Sequence, residues 1–318
     1  MTQTVTPLPP QRDQLASRIG RVHLRQRLGI EQVYESKVFG QGRNLLHLEN
    51  LKSFDKLLAL LLKATFLFNR GRSNARGIVL RENIFALPNL PRAFDGFRLL
   101  HVSDLHLDMA SDIPAVLIEA VKGLEFDCCV LTGDFRAETF GEFADCCAAL
   151  ARVRPHLGDK VYGVLGNHDS IQMVPAIEEL GINLLLNEYA LLERDDAALY
   201  LAGVDDPHYF RADNLEKAAD AIPEEAVSIL LSHSPEIYKN ALHAAFDIML
   251  CGHTHGGQIC LPGGFPLYLN ANCRRSVCRG AWEYHGMQGY TSAGSGSSIL
   301  DVRFNCPPEI VVHTLVRS

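Results

Sequence analysis

Residues 97–106 read FRLLHVSDLH. An apolar run that stops in a polar turn has the pattern of a buried strand, and it leaves Asp104 and His106 just past the strand's carboxyl end. The same texture returns in DCCVLTGD at 127–134, KVYGVLGNHD at 160–169, VSILLSH at 227–233 and FDIMLCGH at 246–253. Residues 112–124, 139–153 and 171–180 have helical patterning. Strands alternating with helices predict an α/β sheet with helical connections. Ligands of such sheets bind beyond the carboxyl ends of the strands, and every polar motif here falls at such an end. The Gly/Ser run SAGSGSS, 292–298, predicts a tight turn near the same place.

The residues at those ends are Asp104 with His106, Asp134 after Gly133, Asn167-His168-Asp169 after Gly166, His233, and His253 with His255. Taken singly, a lone Asp at a strand end forms a turn and a lone His satisfies ordinary hydrogen bonds. Taken together, successive strand ends each deliver an oxygen or imidazole ligand. Asp205, Asp206 and His208 follow another strand and are weaker candidates for the cleft. His101, inside its strand, reads as structural.

The order D-x-H, G-D, G-N-H-D, H, G-H-x-H resembles the calcineurin-like metallophosphoesterase superfamily over about residues 97–315. The resemblance implies an α/β fold of the metallophosphoesterase type, a two-sheet β-sandwich flanked by helices. It implies a first metal held by Asp104, His106, Asp134 and His255. A second would be held by Asp134, Asn167, His233 and His253, so that Asp134 is shared. The mixed oxygen and nitrogen set suits Mn, Fe or Zn better than Ca. Two cations roughly 3.5–4 Å apart clamp phosphate oxygens and lower the pKa of a bound water. The implied activity is therefore hydrolysis of a phosphodiester, phosphomonoester or pyrophosphate. His168 is implied to face the phosphate and help the leaving oxygen take a proton, with Asp169 orienting or charging its imidazole. Asp169 can equally cap the helix that begins at IQMVPAIEEL. Asn167 and Arg136 are candidates for holding the substrate, Arg136 either as a phosphate clamp or, with equal weight, as a surface salt bridge. The run GSGSSILDVRFNCPPEIVVHTL, 294–315, resembles a bacterial membrane-associated phosphodiesterase branch. That leaves room for a lipid-linked substrate such as UDP-2,3-diacylglucosamine.

Outside the motifs, 318 residues suffice for one catalytic domain, 97–318, and a basic, partly amphipathic helical extension, 1–75. Residues 1–98 carry 16 Lys and Arg against 7 Asp and Glu, and the remainder 14 against 30. A basic arm on an acidic body suggests an anionic partner for the arm. Residues 11–28 place Leu15, Ile19 and Val22 at helical spacing. Residues 51–68, LKSFDKLLALLLKATFLF, predict one helix with Lys52, Lys56 and Lys63 on a narrow stripe. It is short for a span, which needs roughly 20 apolar residues. It suits either a membrane interface or packing on protein, and NRGRSNAR after it reads as a basic linker. Nine cysteines, two pairs of them adjacent, fit a reducing cytosol better than a disulfide framework. With no secretory signal visible, the expected place is the cytoplasm, peripheral on the inner membrane face.

The full ligand set with His168 favours an enzyme over a scaffold that has lost catalysis. A strongly acidic body would repel a polyanion, so no nucleic-acid partner is expected. A soluble phosphodiesterase of small nucleotides is the alternative to a lipid-linked substrate.

Overall fold

The computed structural model describes residues 10–39 and 52–318. Its strands are β1 Val79–Leu87, β2 Arg98–Val102, β3 Cys128–Leu131, β4 Val161–Gly163, β5 Asn183–Leu184, β6 Glu188–Arg194, β7 Ala197–Gly203, β8 Ser228–Leu231, β9 Ile248–Cys251, β10 Cys260–Leu261, β11 Phe265–Pro266, β12 Gly280–Tyr284, β13 Met287–Thr291 and β14 Glu309–Arg317. They form two six-stranded sheets, in the orders β1-β14-β2-β3-β4-β5 and β12-β13-β9-β8-β7-β6, with β10-β11 as a separate hairpin.

The apolar runs are continuous because both faces of each central strand are covered. Leu99, Val130, Ile229, Leu231, Ile248 and Leu250 point between the sheets, where Val311 and Leu315 join them. Their neighbours Leu100, Val102, Cys129 and Leu131 point outward into a second core. That core lies under helices α5 (Ile113–Val121), α6 (Ala144–Val153) and α7 (Val174–Glu179). Leu230 and Met249 face the helices α8 (Leu215–Ala219) and α9 (Tyr238–His243) through Ala218 and Ala241. The two-sheet α/β sandwich expected from the motifs is thus the observed fold. β2, β3 and β4 are mutually parallel, as are β7, β8 and β9, so each set sends its motif loops out of one end.

The elements before β2 depart from the sequence reading. β1, unforeseen, extends the first sheet by pairing parallel with β14 along its whole length. α1 (Pro10–Ile19) and α2 (Arg21–Phe39) lie on the catalytic body and add Leu15, Ala16, Ile19 and Leu24 to its outer core. The single helix expected over 51–68 breaks in two, α3 (Lys52–Ala64) and α4 (Leu67–Ala75), around Phe66 in the left-handed region at φ 59°. The Lys52 and Lys56 side chains lie outside the described residues. NRGRSNAR is no linker: it forms most of α4, and Gly71 packs so closely on Val302 and Phe304 that a Cβ would collide with them. Arg72 and Arg76 pair with Asp112 and Asp301, which spends their charge on the body.

Candidate metal centre

The loops after β2, β3, β4, β8 and β9 converge. Backbone bonds tie the first two together, from Asp104 N to Gly133 O and from His106 N to Asp134 O, both at 3.0 Å. The 292–298 turn closes over them, as its composition suggested: Ser295 N and Gly296 N donate to Ser103 O and Asp104 O. Two of the motif glycines exist for close approach. A Cβ on Gly166 would overlap the Asp134 carboxylate, and one on Gly252 would overlap Ser103 Oγ and Asp104.

Within this knot Asp104, His106, Asp134 and His255 bring one ligand atom each to within 4.8 Å of one another, and Asp134, His233 and His253 do the same. All are buried. Asn167 joins the second group, its Oδ1 2.9 Å from His233 Nε2.

The donor set fits cations. His106 Nδ1 lies 2.8 Å from Arg136 O, and His233 Nδ1 lies 2.7 Å from Thr132 O. A carbonyl only accepts, so both Nδ1 atoms carry a proton and both Nε2 atoms point inward. There His233 Nε2 meets Asp134 Oδ2 at 3.3 Å as well as the Asn167 oxygen. A ring nitrogen this close to two oxygens needs positive charge between them, as a proton on Nε2 or as a bound cation. His253 Nε2 is buried without a hydrogen-bond partner. The electrostatics agree. Burial alone would lower the His233 imidazole, but the Asp134 carboxylate pushes it up to about 10. Burial alone would raise Asp134, yet the imidazoles of His233 and His168 hold it well below the usual carboxylate range. The cluster demands cationic charge at its centre.

A family model described as calcineurin-like phosphoesterase matches residues 97–257. The metallophosphoesterase YkoQ of Bacillus subtilis is 30% identical over 268 residues, covering 81% of this chain and 97% of the relative. The chain belongs to the calcineurin-like phosphoesterase family. The phosphodiesterase YaeI of Escherichia coli is 27% identical over 237 residues, 69% of this chain and 82% of that one. A transmembrane protein with a metallophosphoesterase domain from Danio rerio is 30% identical over 241 residues, 70% of this chain and 53% of that one. The protein is accordingly a metal-dependent phosphoesterase. Among its described residues no helix is long and apolar enough to cross a membrane.

Two residues of the phosphoesterase motifs act differently from the sequence reading. Arg136 is not a surface pair. It is buried, and its guanidinium donates to the carbonyls of His168, Gly141 and Thr139, which leaves it bracing the loop beside His168. Asp169 neither touches the His168 ring nor caps the helix. Its carboxylate accepts the N–H groups of Asp134, Phe135 and Gly166, and Ser170 caps the following turn. Burial, with the Asp134 charge beside it, pushes the Asp169 carboxyl up to about 6. His168 itself stands at the cleft, Nε2 4.0 Å from Asp134 Oδ2 and Nδ1 3.3 Å from the Thr139 hydroxyl.

Asp205 and Asp206 are buried as supports. Asp205 pairs with Arg27 and His23, and Asp206 accepts three backbone N–H groups from His208, Tyr209 and Phe210. His208 does reach the cluster, its ring centroid 4.2 Å from that of His253. Arg303 was not foreseen. It is buried with Nη2 3.2 Å from His255 Nδ1, and it gathers the carbonyls of Ala293, Gly294 and Gly296. Its only signal was a lone arginine in the C-terminal run. All nine cysteines are free thiols, and Cys273 and Cys278 lie 3.4 Å apart.

Proposed function

We propose that the chain hydrolyses a phosphodiester or pyrophosphate at a dinuclear centre, on a lipid-linked substrate such as UDP-2,3-diacylglucosamine presented at the cytoplasmic face of a membrane. Asp104, His106, Asp134 and His255 hold one cation, and Asp134, Asn167, His233 and His253 the other. The observation that carries this reading is the convergence of imidazole nitrogens on the Asp134 carboxylate. Mn, Fe and Zn all suit the donor set. Bound there, the cations supply Lewis-acid charge for the phosphoryl oxygens and an activated water.

The remaining chemistry belongs to the chain. Asn167 and His168 flank the place of the phosphoryl group. His168 Nε2 holds the proton that the leaving oxygen needs, and the Thr139 hydroxyl beside Nδ1 sets the ring. Arg136 fixes the backbone from which His168 projects. The lipid reading draws on the C-terminal run and on exposed Leu60, Leu61 and Phe66 in and after α3.

Metal analysis and a phosphodiester assay on wild type and Asp134→Asn test the centre. Asp134→Asn should lose both bound metal and nearly all activity, whereas His168→Ala should keep the metal and lose rate. An active, metal-replete Asp134→Asn protein would overturn the assignment.

A further inference from the structure

A line of polar side chains runs through the sandwich from the edge of the first sheet to Asp104. Asn83 Nδ2 lies 3.1 Å from His313 Nδ1, His313 Nε2 lies 3.2 Å from His101 Nδ1, and His101 Nε2 lies 2.9 Å from the Thr132 hydroxyl. That hydroxyl reaches Ser103 Oγ at 2.7 Å, and Ser103 Oγ reaches Asp104 Oδ2 at 2.6 Å. His101, His313, Thr132 and Ser103 are fully buried, and only the outer end, Asn83, is partly open. Two histidines between apolar sheets are costly unless every polar atom is matched.

The polarity of the line is forced from its inner end. Ser103 Oγ donates to Asp104 Oδ2. Ser103 has one proton and has spent it, so it accepts from Thr132. Thr132 has then spent its own proton and accepts from His101 Nε2–H. Burial pushes the His101 imidazole down to about 3 and His313 well below its usual range, so both rings are neutral with one proton each. His101 Nδ1 therefore accepts from His313 Nε2–H, and His313 Nδ1 accepts from the Asn83 amide. Each group has one admissible role, and all donors point toward Asp104.

We infer that Asn83, His313, His101, Thr132 and Ser103 form a positioning relay that fixes which oxygen of the Asp104 carboxylate faces the cation site: the His253 N–H reaches both oxygens, and the Ser103 proton binds Oδ2 and turns Oδ1 to the site. This rests on the reading of Asp104 as a metal ligand. Oδ1 lies 3.4 Å from His255 Nε2. Without the relay the Ser103 hydroxyl is free to rotate, and the carboxylate keeps the His253 N–H, which reaches both oxygens and does not choose between them. Groups that hold metal ligands from behind are typically worth about 10–100-fold in metal affinity.

The test uses the full chain with zinc as the probe cation. Ring nitrogen NMR should show His101 and His313 both as Nε2–H tautomers, with and without zinc. Thr132→Val, which keeps the shape and removes the hydroxyl, should weaken zinc binding by about 10–100-fold, and Thr132→Ser should restore it. Asn83→Ala, at the partly open end, removes the first donor without touching the core and should shift both ring signals. An Nδ1–H tautomer or a charged ring at either histidine overturns the relay. So does a folded Thr132→Val protein that binds zinc like wild type while Asp134→Asn does not. If wild type and Asp134→Asn alike bind no zinc, the metal reading fails instead, and the relay's role at the metal fails with it.

Discussion

Arg27 in α2 donates from Nη2 to the main-chain oxygen of Asp169, 2.9 Å away and 142 residues further along the chain. The same guanidinium, fully buried, pairs with Glu31 at 2.5 Å and Asp205 at 3.3 Å. Glu31 in turn accepts from Ser170 Oγ and Ile171 N. The N-terminal helices are thus bolted to the loop that carries Asn167 and His168, and a helix that composition marks as part of a detachable basic arm is a wall of the site.

Arg27→Ala should therefore cost about 3–5 kcal/mol, because it strands buried carboxylates without their partner. Removing residues 1–75 should cost more, giving aggregation rather than a trimmed active enzyme. The loss has a pH signature. Burial alone would raise the Asp205 carboxyl, but Arg27 and His23 hold it below the usual range. A depressed acid stabilises the fold above its unfolded pKa and loses that contribution as pH falls through the folded value. The gap between wild type and Arg27→Ala in urea melts should stay full near neutrality and narrow below about pH 4. A gap that widens on acidification would contradict the pairing.

Asp169→Asn tests the loop that orders the bridge. The carboxylate gathers backbone N–H groups from both sides of Asp134, and an amide would turn a donor toward some of them. Leaving buried donors unmatched costs about 1–3 kcal/mol each. The expected result is a lowered melting temperature together with reduced metal content. Were Asp169 instead the partner of the His168 ring, metal content would hold while only the rate fell.

How far the sequence could be read follows from what each feature depends on. The five motif strands, and the convergence of the residues at their ends, were legible because apolar runs ending in polar turns are local signals. The backbone that aims the ligands was not. Asp104, His106, Asp134, His253 and His255 all have positive φ, from 42° to 71°, a region that residues other than glycine seldom adopt. Nothing in their identity announces it, since the strain is held by contacts such as Gly252 against Ser103. Arg27 and Arg303 escaped for a related reason. Their partners are fixed by tertiary packing, and an arginine destined for burial looks like a surface arginine. The bracing bonds of Arg136 were not legible because spacing alone cannot count the carbonyls that surround it.

Gly252→Ala should show that coupling of glycine to ligand. The added methyl meets Ser103 Oγ and the Asp104 carboxylate, so either the β9 loop or the ligand must move. Overpacking of this kind costs about 1–3 kcal/mol. Metal content should drop well below stoichiometric at temperatures where circular dichroism still reports a native fold. Full metal occupancy in a folded Gly252→Ala protein would show that the close approach is unimportant.

The remaining prediction concerns the address of the enzyme. Phe66 is 90% exposed, and Leu60 and Leu61 are 63% and 54% exposed, with Lys63 between them in sequence and also exposed. Burying each such side chain is worth about 1.5–3 kcal/mol, so three that enter a lipid interface together suffice for measurable binding, and lysine adds attraction to anionic headgroups. Because α1 and α2 are structural, truncation cannot test this, but Leu60→Ser, Leu61→Ser and Phe66→Ser combined leave Arg27, Glu31 and the motif loops intact. The triple variant should lose co-sedimentation with vesicles of phosphatidylglycerol and phosphatidylethanolamine. It should keep wild-type melting temperature and wild-type hydrolysis of a water-soluble aryl phosphodiester. Its activity on a diacylated nucleotide sugar in mixed micelles should fall by about tenfold or more, the factor that about 1.4 kcal/mol of lost association gives. Vesicle binding that survives the triple change would place the membrane contact elsewhere or remove it. Equal loss on the soluble and lipid substrates would mean that the variant had disturbed the site itself.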